Sequence, residues 1–344
     1  MKIEQVILYN FRNHKSFTYL PHEGLNVIVA NNGKGKTNLL ESIYYCSFGK
    51  SFRTNNDNDL ITTGESEFII NLKVNNNESS HEIGASYKNK KKIFFLDKKP
   101  IKKISDLNHY LNVLLFEPNQ VSLFTSEPIN RRSFLDVLVS KISTHYLDLL
   151  KRYKNLLKER NSALKETKVD KIYVFTLTNQ MIAISEEITD IRLKFIKEIN
   201  LALEKVAEKI SNKKQSLKLR YYPIIEYSEK YKEDLLRKYQ ETYEEDVLAK
   251  STTIGVHKED YVMLLNGKNI AQHGSQGENR LAVLSMILSL YFIKNSRKPI
   301  VILDDVLSEL DEENQNRLID FVKNFDQTFI TTTRSLDIDN EFNM

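Results

Sequence analysis

The chain has 344 residues, 50 basic and 46 acidic side chains, a net charge of +4 and 41% hydrophobic residues, which suits one large core with an insertion or two domains. A lone cysteine, Cys46, excludes an internal disulfide, and scattered histidines exclude a zinc site of the Cys/His type. The longest apolar run, Leu281 to Ile293, falls short of the roughly 20 residues of a membrane span, and polar residues interrupt Met1 to Phe17 where a secretory signal would lie, so a cytosolic protein with no membrane contact is expected.

Leu25-Asn26-Val27-Ile28-Val29 reads as a buried strand, and from Asn38 to Tyr45 apolar residues recur at helical spacing. Between them lies Ala30-Asn31-Asn32-Gly33-Lys34-Gly35-Lys36-Thr37. Strand, glycine- and lysine-rich loop and helix in this order form a cradle for phosphates. Backbone N–H groups from Ala30 through Gly35 and at the helix start, Asn38 included, can face the phosphates of a nucleoside triphosphate. Lys36 can reach the β/γ oxygens, and the Thr37 hydroxyl can ligate Mg²⁺. One position departs from the pattern G-x-x-x-x-G-K-[ST], because its leading glycine is Ala30. If that residue needs φ > 0, its Cβ costs on the order of 1 kcal/mol and weakens the site. On the helix behind the loop, Cys46 is expected as a buried thiol.

Asn75 to Ser80 reads as a hairpin turn. Lys88, Lys90, Lys91, Lys92, Lys98, Lys99, Lys102 and Lys103 then crowd one hairpin region around Ile93-Phe94-Phe95-Leu96. Lysines so placed either solvate an exposed strand edge, the favoured reading, or contact nucleic-acid phosphates. Arg53, Arg131 and Arg132 have the same two options, phosphate contact or buried pairing with acids. Farther on, Leu135, Leu138, Ile142, Tyr146, Leu149, Tyr153 and Leu156 step by three or four along one helix face. A second stripe runs from Leu177 to Ile210, about 50 Å of helix, and the two are expected to pack as an antiparallel arm. His257 follows the arm, as a structural histidine or one that couples the lobes.

Ser275-Gln276-Gly277-Glu278 precedes a mostly buried helix, with Ser275 where an N-cap belongs and Gly277 able to approach an anion closely. Pro299 to Leu303 is an apolar strand that ends in Asp304-Asp305. A buried parallel strand delivers such acids to the edge where ligands of open α/β sheets sit. There Asp304 would hold the Mg²⁺ shell, and Asp305 would orient or deprotonate the attacking water. Leu307-Ser308-Glu309-Leu310-Asp311 begins another helical segment, and Thr328 to Thr333 reads as a strand with a polar end.

In this order the phosphate loop, S-x-G-E turn, Asp-Asp pair, S-E-L-D and final strand resemble the ATPase heads of the ABC and SMC superfamily, in which two heads sandwich ATP. Lys36 and Asp304 lie 268 positions apart (304 − 36), too far for a transporter ATPase and too near for the long arms of an SMC protein. The chain is most similar to the RecF family of bacterial DNA replication and repair proteins. That likeness is carried by Leu8 to Asn13, the phosphate loop with Asn38-Leu39-Leu40-Glu41, Gly49 to Arg53 and Phe116-Glu117-Pro118. It continues through Pro128 to Asp136, Leu157 to Asn161, Gly255 to Asp260, Ser275-Gln276-Gly277 and Leu303 to Asp311. Departures are Ala30, Val256 where the family usually has proline, and Glu278-Asn279 where it favours glutamines.

The resemblance implies an α/β fold: an ABC-type ATPase head of the P-loop NTPase kind from residues 1–124 and 247–344, with an α-helical lobe at 125–246 resembling a short SMC-like arm. It implies ATP and Mg²⁺ as cofactors, Thr37 and Asp304 as metal ligands, and Asp305 with Asp304 as catalytic residues. Nucleotide would be bound by Ala30 through Asn38 and, from a partner subunit, by Ser275, Gln276 and Gly277. Ser308 and Asp311 would join the two sites, and Thr331 or a neighbour would stand at the switch position. The implied function is ATP-dependent DNA binding in recombinational repair and replication restart, with a weak DNA-stimulated ATPase resetting an ATP-induced homodimer. Implied partners are DNA at gaps and single-strand/double-strand junctions, RecO and RecR, and through them RecA. The alternative is an ATP-gated DNA clamp that does not hydrolyse, or a regulatory RecF-like protein.

Overall fold

Strand-forming alternation dominates the first part of the chain and helical spacing the middle. The computed structural model describes all residues except 77–78, 212–214, 294–297, 337 and 339. Strands β1 (Lys2–Phe11), β2 (His14–Tyr19) and β3 (Gly24–Val29) precede helix α1 (Lys36–Phe48). After it come β4 (Glu67–Asn75), β5 (Ser80–Lys88), β6 (Lys91–Leu96), β7 (Lys99–Pro100) and β8 (Val113–Phe116). Helices α2 (Pro128–Ile142), α3 (Thr144–Ala163) and α4 (Lys171–Ile210) follow, then β9 (Leu217–Tyr222), α5 (Tyr231–Glu241) and α6 (Tyr243–Ala249). The rest is β10 (Asp260–Leu265), β11 (Lys268–Asn269), α7 (Ile270–His273), α8 (Gln276–Ser289), β12 (Ile300–Leu303), α9 (Glu312–Val322), β13 (Gln327–Thr332) and β14 (Glu341–Asn343). Two compact units result: Met1–Val121 with Lys205–Lys214 and Arg280–Met344, and Ser122–Glu204 with Gln215–Asn279.

The first unit holds two sheets. One is wholly parallel, in the order β14-β3-β13-β12-β8. Its strands are near-continuous apolar runs, with Val27, Ile28, Val301, Ile302, Phe329 and Ile330 sealed from solvent, as a sheet covered on both faces requires. The other is antiparallel, β2-β1-β4-β5-β6-β7, and alternates: Phe68, Ile70, Leu72 and Val74 of β4 are buried while Ile69, Asn71 and Lys73 are exposed. Leu39, Leu40, Ile43, Tyr45 and Cys46 of α1 join residues of both sheets in one apolar core, which buries the cysteine fully.

Asn75 pairs with Ser80 across β4 and β5, while Asn77 and Glu78 of the expected turn lie outside the described residues. In the lysine-rich region β7 is the outermost strand of its sheet. Lys88, Lys92 and Lys98 meet Glu67, Asp57 and Glu82 at 3.0, 3.0 and 3.8 Å, which agrees with lysines dressing an exposed edge.

In the second unit, the single helix face drawn from Leu135 to Leu156 is corrected to two helices. Ser143 leaves the helical region (φ −131°, ψ 107°), and its side chain accepts from the Tyr146 N–H at 3.1 Å, ending α2 and capping α3. The apolar spacing hid the break because Ile142 and Tyr146 keep a four-residue step across it. Helices α3 and α4 are antiparallel, bonded at Tyr146–Arg192 (2.8 Å), His145–Glu187 (3.0 Å) and Arg160–Thr178 (2.8 Å).

Two buried guanidinium groups pin this unit. Arg192 meets Glu259 at 2.7 Å and Asp136 at 2.9 Å, and Arg160 meets Asp246 at 2.7 Å. Breaking such a pair would leave an uncompensated charge out of water at a cost of roughly 3–5 kcal/mol. Nearby, His257 bonds the Tyr153 hydroxyl at 2.8 Å and the Thr252 carbonyl at 3.2 Å, and burial pushes its pKa down to about 4. Both ring nitrogens are thus engaged and the ring is neutral, as in a structural histidine. Arg131 clamps Asp260 through two nitrogens at 2.9 and 2.6 Å, and Arg132 donates to the Glu259 carbonyl at 2.7 Å. Among the described residues no helix is long and apolar enough to cross a membrane.

Candidate nucleotide site at the parallel-sheet edge

Because the central sheet is parallel, its strands all end at one edge. Val29 lies beside Thr332, Ile28 beside Thr331, and Leu303 beside both Ile330 and Phe116. The phosphate loop after β3, Thr331 in β13, Asp304-Asp305 after β12 and Glu117 after β8 therefore gather at the C-terminal edge, the ligand-binding edge of open α/β sheets.

The loop takes its shape from two glycines, Gly33 (φ 81°) and Gly35 (φ 106°). A Cβ on Gly35 would stand 2.7 Å from the His14 ring and 2.8 Å from Asn13 Oδ1, so only glycine fits there. Ala30 is different. It is not among the positive-φ residues, and its N–H donates to the Thr332 carbonyl at 3.2 Å in continuation of the sheet. The penalty tied to a left-handed Ala30 does not arise. Residues 31–34 are exposed, and the N-cap of α1 is Gly35, which offers no side chain to take the helix's leading donors.

Lys36, only 9% exposed, folds back over the loop, donating to the Ala30 carbonyl and, at 3.2 Å, to that of Asn31. Burial lowers its pKa, while the charges of Asp305 and Asp304 oppose the shift. Asn38 is held from both sides: Arg53 donates to its Oδ1 and its Nδ2 donates to Asn13 Oδ1, each at 2.7 Å. Beneath, the fully buried Glu41 accepts a two-pronged bond from Arg12 at 2.8 and 2.7 Å and lies 3.5 Å from Arg53. Arg53 thus adopts the acid-pairing option.

The acids are tied to the loop by hydroxyls. Thr37 Oγ1 donates to Asp304 Oδ1 at 3.0 Å, and Thr331 Oγ1 donates to the same oxygen at 2.7 Å. Thr331 in turn accepts from the Asp305 N–H at 2.8 Å, which fixes Asp305 in a left-handed conformation (φ 47°). Burial raises the Asp304 pKa, and the two hydroxyl bonds hold it back by favouring the carboxylate. Thr331, read from sequence only as a switch position, is thus a bridge between the two acids.

Glu117 was missed. Burial, then the charge of Asp304, pushes its pKa up to about 7. The signal was present, since Val113-Leu114-Leu115-Phe116 is an apolar strand ending in an acid, the pattern used for Asp304. Asp311 stands where the expected helical segment begins: Val306–Glu309 is a short 3₁₀ turn, and Asp311 caps α9, accepting from the Asn314 N–H at 2.8 Å.

Among the described residues no cluster of three or more His, Cys, Asp or Glu could hold a metal by itself. The donors on offer, the Thr37 hydroxyl and the Asp304 carboxylate, fit Mg²⁺, which is usually bound through one or two protein oxygens with water and phosphate completing its shell.

Ser275, Gln276 and Gly277 belong to the second unit and are exposed. Ser275 and Glu278 form a reciprocal cap on α8: Glu278 Oε2 accepts from the Ser275 N–H at 2.8 Å and from its hydroxyl at 3.0 Å, and Ser275 Oγ accepts from the Glu278 N–H at 3.3 Å. A Cβ on Gly277 would meet nothing within 4 Å.

The family model described as the RecF/RecN/SMC N terminal domain matches residues 2–341. The DNA replication and repair protein RecF of Alkaliphilus oremlandii is 36% identical over 342 residues, covering 97% of this chain and 93% of its own length. The chain belongs to the RecF family. A solved structure of the recombination mediator protein RecF with ATP in the RecFOR pathway superposes on this RecF-family chain with a TM-score of 0.88 and 28% identity, over 99% of this chain and 95% of the other. The Smc head domain of Pyrococcus furiosus, at TM-score 0.61 and 16% identity over 99% of this chain and 92% of the other, shares the fold, which is the ABC/SMC-head type of α/β architecture.

Proposed function

We propose that this chain is an ATP-dependent DNA-binding protein of recombinational repair and replication restart, whose two copies close on ATP around DNA and reopen on slow hydrolysis. The observation that carries this is the bond from Thr37 to Asp304, which unites the phosphate loop and the acidic strand end from positions 267 apart. Support also comes from the ATP named with a family relative.

In this reading the functional head is 1–124 with 247–344 and the helical lobe is 125–246; the head includes the Ser275 turn, although by packing that turn is counted with the second unit. Lys36 exchanges its bonds to the Ala30 and Asn31 carbonyls for the β/γ oxygens, and the N–H groups from Ala30 to Asn38 surround the phosphates. Mg²⁺ held by Thr37 and Asp304 would offset phosphate charge. Asp305 orients the attacking water and accepts its proton, Thr331 keeps both acids in place, and Ser275, Gln276 and Gly277 of the partner subunit cover the γ-phosphate. ATP must then bind the closed dimer more tightly than the open monomer. Expected partners are gapped duplex and single-strand/double-strand junctions, with RecO and RecR as co-mediators for RecA. The non-hydrolysing clamp drew on strain at Ala30, and no such strain opposes hydrolysis.

The test is DNA binding to gapped and blunt duplex with ATP, ADP and no nucleotide, beside light scattering and phosphate release. Tighter binding to gapped duplex with ATP, by a dimer, is expected. A chain that stays monomeric and binds DNA equally in all three states would exclude the clamp.

A further inference from the structure

On the assumption of the two-copy sandwich above, the second half-site holds a feature of its own. Ser275, Gln276 and Gly277 are exposed at the start of a 14-residue helix, where backbone N–H groups and partial positive charge await an anion. An anion is already there. The Glu278 carboxylate takes the Ser275 hydroxyl at 3.0 Å and the Ser275 N–H at 2.8 Å, and Gln215 Nε2 steadies its other oxygen at 3.4 Å. The Ser275 hydroxyl has one proton, and it is spent on Glu278. Helix α1, which opens onto the phosphate loop, has no acidic residue in its first turn and no side-chain cap.

We infer that Glu278 is an internal stand-in for the γ-phosphate, occupying the donors of Ser275 until a triphosphate displaces it. The carboxylate and the phosphate compete for the same hydroxyl proton, and their like charges repel at close range. Glu278 thereby sets the triphosphate concentration at which two copies close. A nucleoside diphosphate, without the outermost phosphate group, cannot dislodge it. Glu278 is a positioning residue, since it acts through Ser275.

The experiment compares wild type, Glu278→Gln and Glu278→Ala in the full chain, reading dimerisation by light scattering against ATP concentration at low and high salt, with thermal melting of the nucleotide-free protein. Glutamine preserves the reciprocal cap but not the charge, so Glu278→Gln should melt like wild type and close at roughly fivefold lower ATP. The gain should shrink at high salt. Glu278→Ala should melt lower, having lost the cap, and still close at lower ATP than wild type. A wild type that dimerises with ATP while Glu278→Gln needs as much ATP or more overturns the inference and leaves the sandwich standing. No dimer in any of the three overturns the sandwich, and the inference falls with it.

Discussion

Helices α1 and α8 both start at glycine-bearing turns, and they differ in what shapes the turn. At α1 the chain itself demands glycine, since a Cβ on Gly35 would strike His14 and Asn13. At α8 nothing in the chain does, for a Cβ on Gly277 would meet open space. Glycine within a helix costs roughly 0.5–1 kcal/mol relative to alanine. A helix that accepts this cost without an internal reason has an external one, and in the proposed dimer it is the close approach of a phosphate. In that proposal, packing inside the subunit dictates the glycine at α1, and only what approaches from outside dictates the one at α8.

The contrast breaks most readily at Lys36. Lys36→Ala should weaken ATP binding and ATP-dependent dimerisation together, by roughly 100-fold, as expected for losing a charge-assisted bond; nucleotide titration and light scattering read both, and an unchanged dimer would remove Lys36 from the phosphates. The two glycines sharpen it. Gly35→Ala should destabilise the fold by at least about 1–2 kcal/mol, seen as a lower denaturation midpoint. Gly277→Ala should leave stability equal or slightly raised, by up to about 1 kcal/mol, and yet impair closure of the dimer. If Gly277→Ala dimerises normally, its open space has no functional meaning.

A smaller effect is expected at Thr331. Thr331→Val keeps the shape but leaves the Asp305 N–H unpaired, a loss of roughly 1–3 kcal/mol, and phosphate release should slow as the acids lose their bridge. At neutral pH the smallest is at His257, whose folded-state pKa of about 4 lies below its ordinary value, so that its contribution shows only on acidification. Its neutral form favours folding fully above about pH 6.5, and that contribution is lost as pH falls from there toward 4. Wild type should therefore lose stability across this window more steeply than His257→Gln, while both close on ATP alike at neutral pH.

The central sheet was legible because β3, β12 and β13 are apolar runs, each ending in a distinctive polar group, and parallel strands place such groups together. Glu117 was named only within Phe116-Glu117-Pro118 and not as a site residue, because its strand ends in one acid where β12 ends in two, although its position on the sheet is equivalent. The break at Ser143 escaped for another reason: periodicity reports which face is buried, and a capped kink that preserves the four-residue step leaves the face unchanged. Arg12, Glu41 and Arg53 lay in passages that carry the family likeness, but their mutual pairing is a long-range fact that spacing does not encode. Ala30 shows the reverse case, a departure from a motif whose cost depends on a backbone angle that residue type alone does not give.

The order β14-β3-β13-β12-β8 also bears on how the protein is made. Between β3 and β8 the sheet needs β13 and β12, which come from residues 300–332. At ribosomal speeds of about 5–20 residues per second, the early strands wait roughly 15 to 60 seconds for their neighbours to emerge. Throughout that interval their unpaired apolar edges are open to aggregation, so the nascent chain is a natural client for chaperones and a slow folder in isolation.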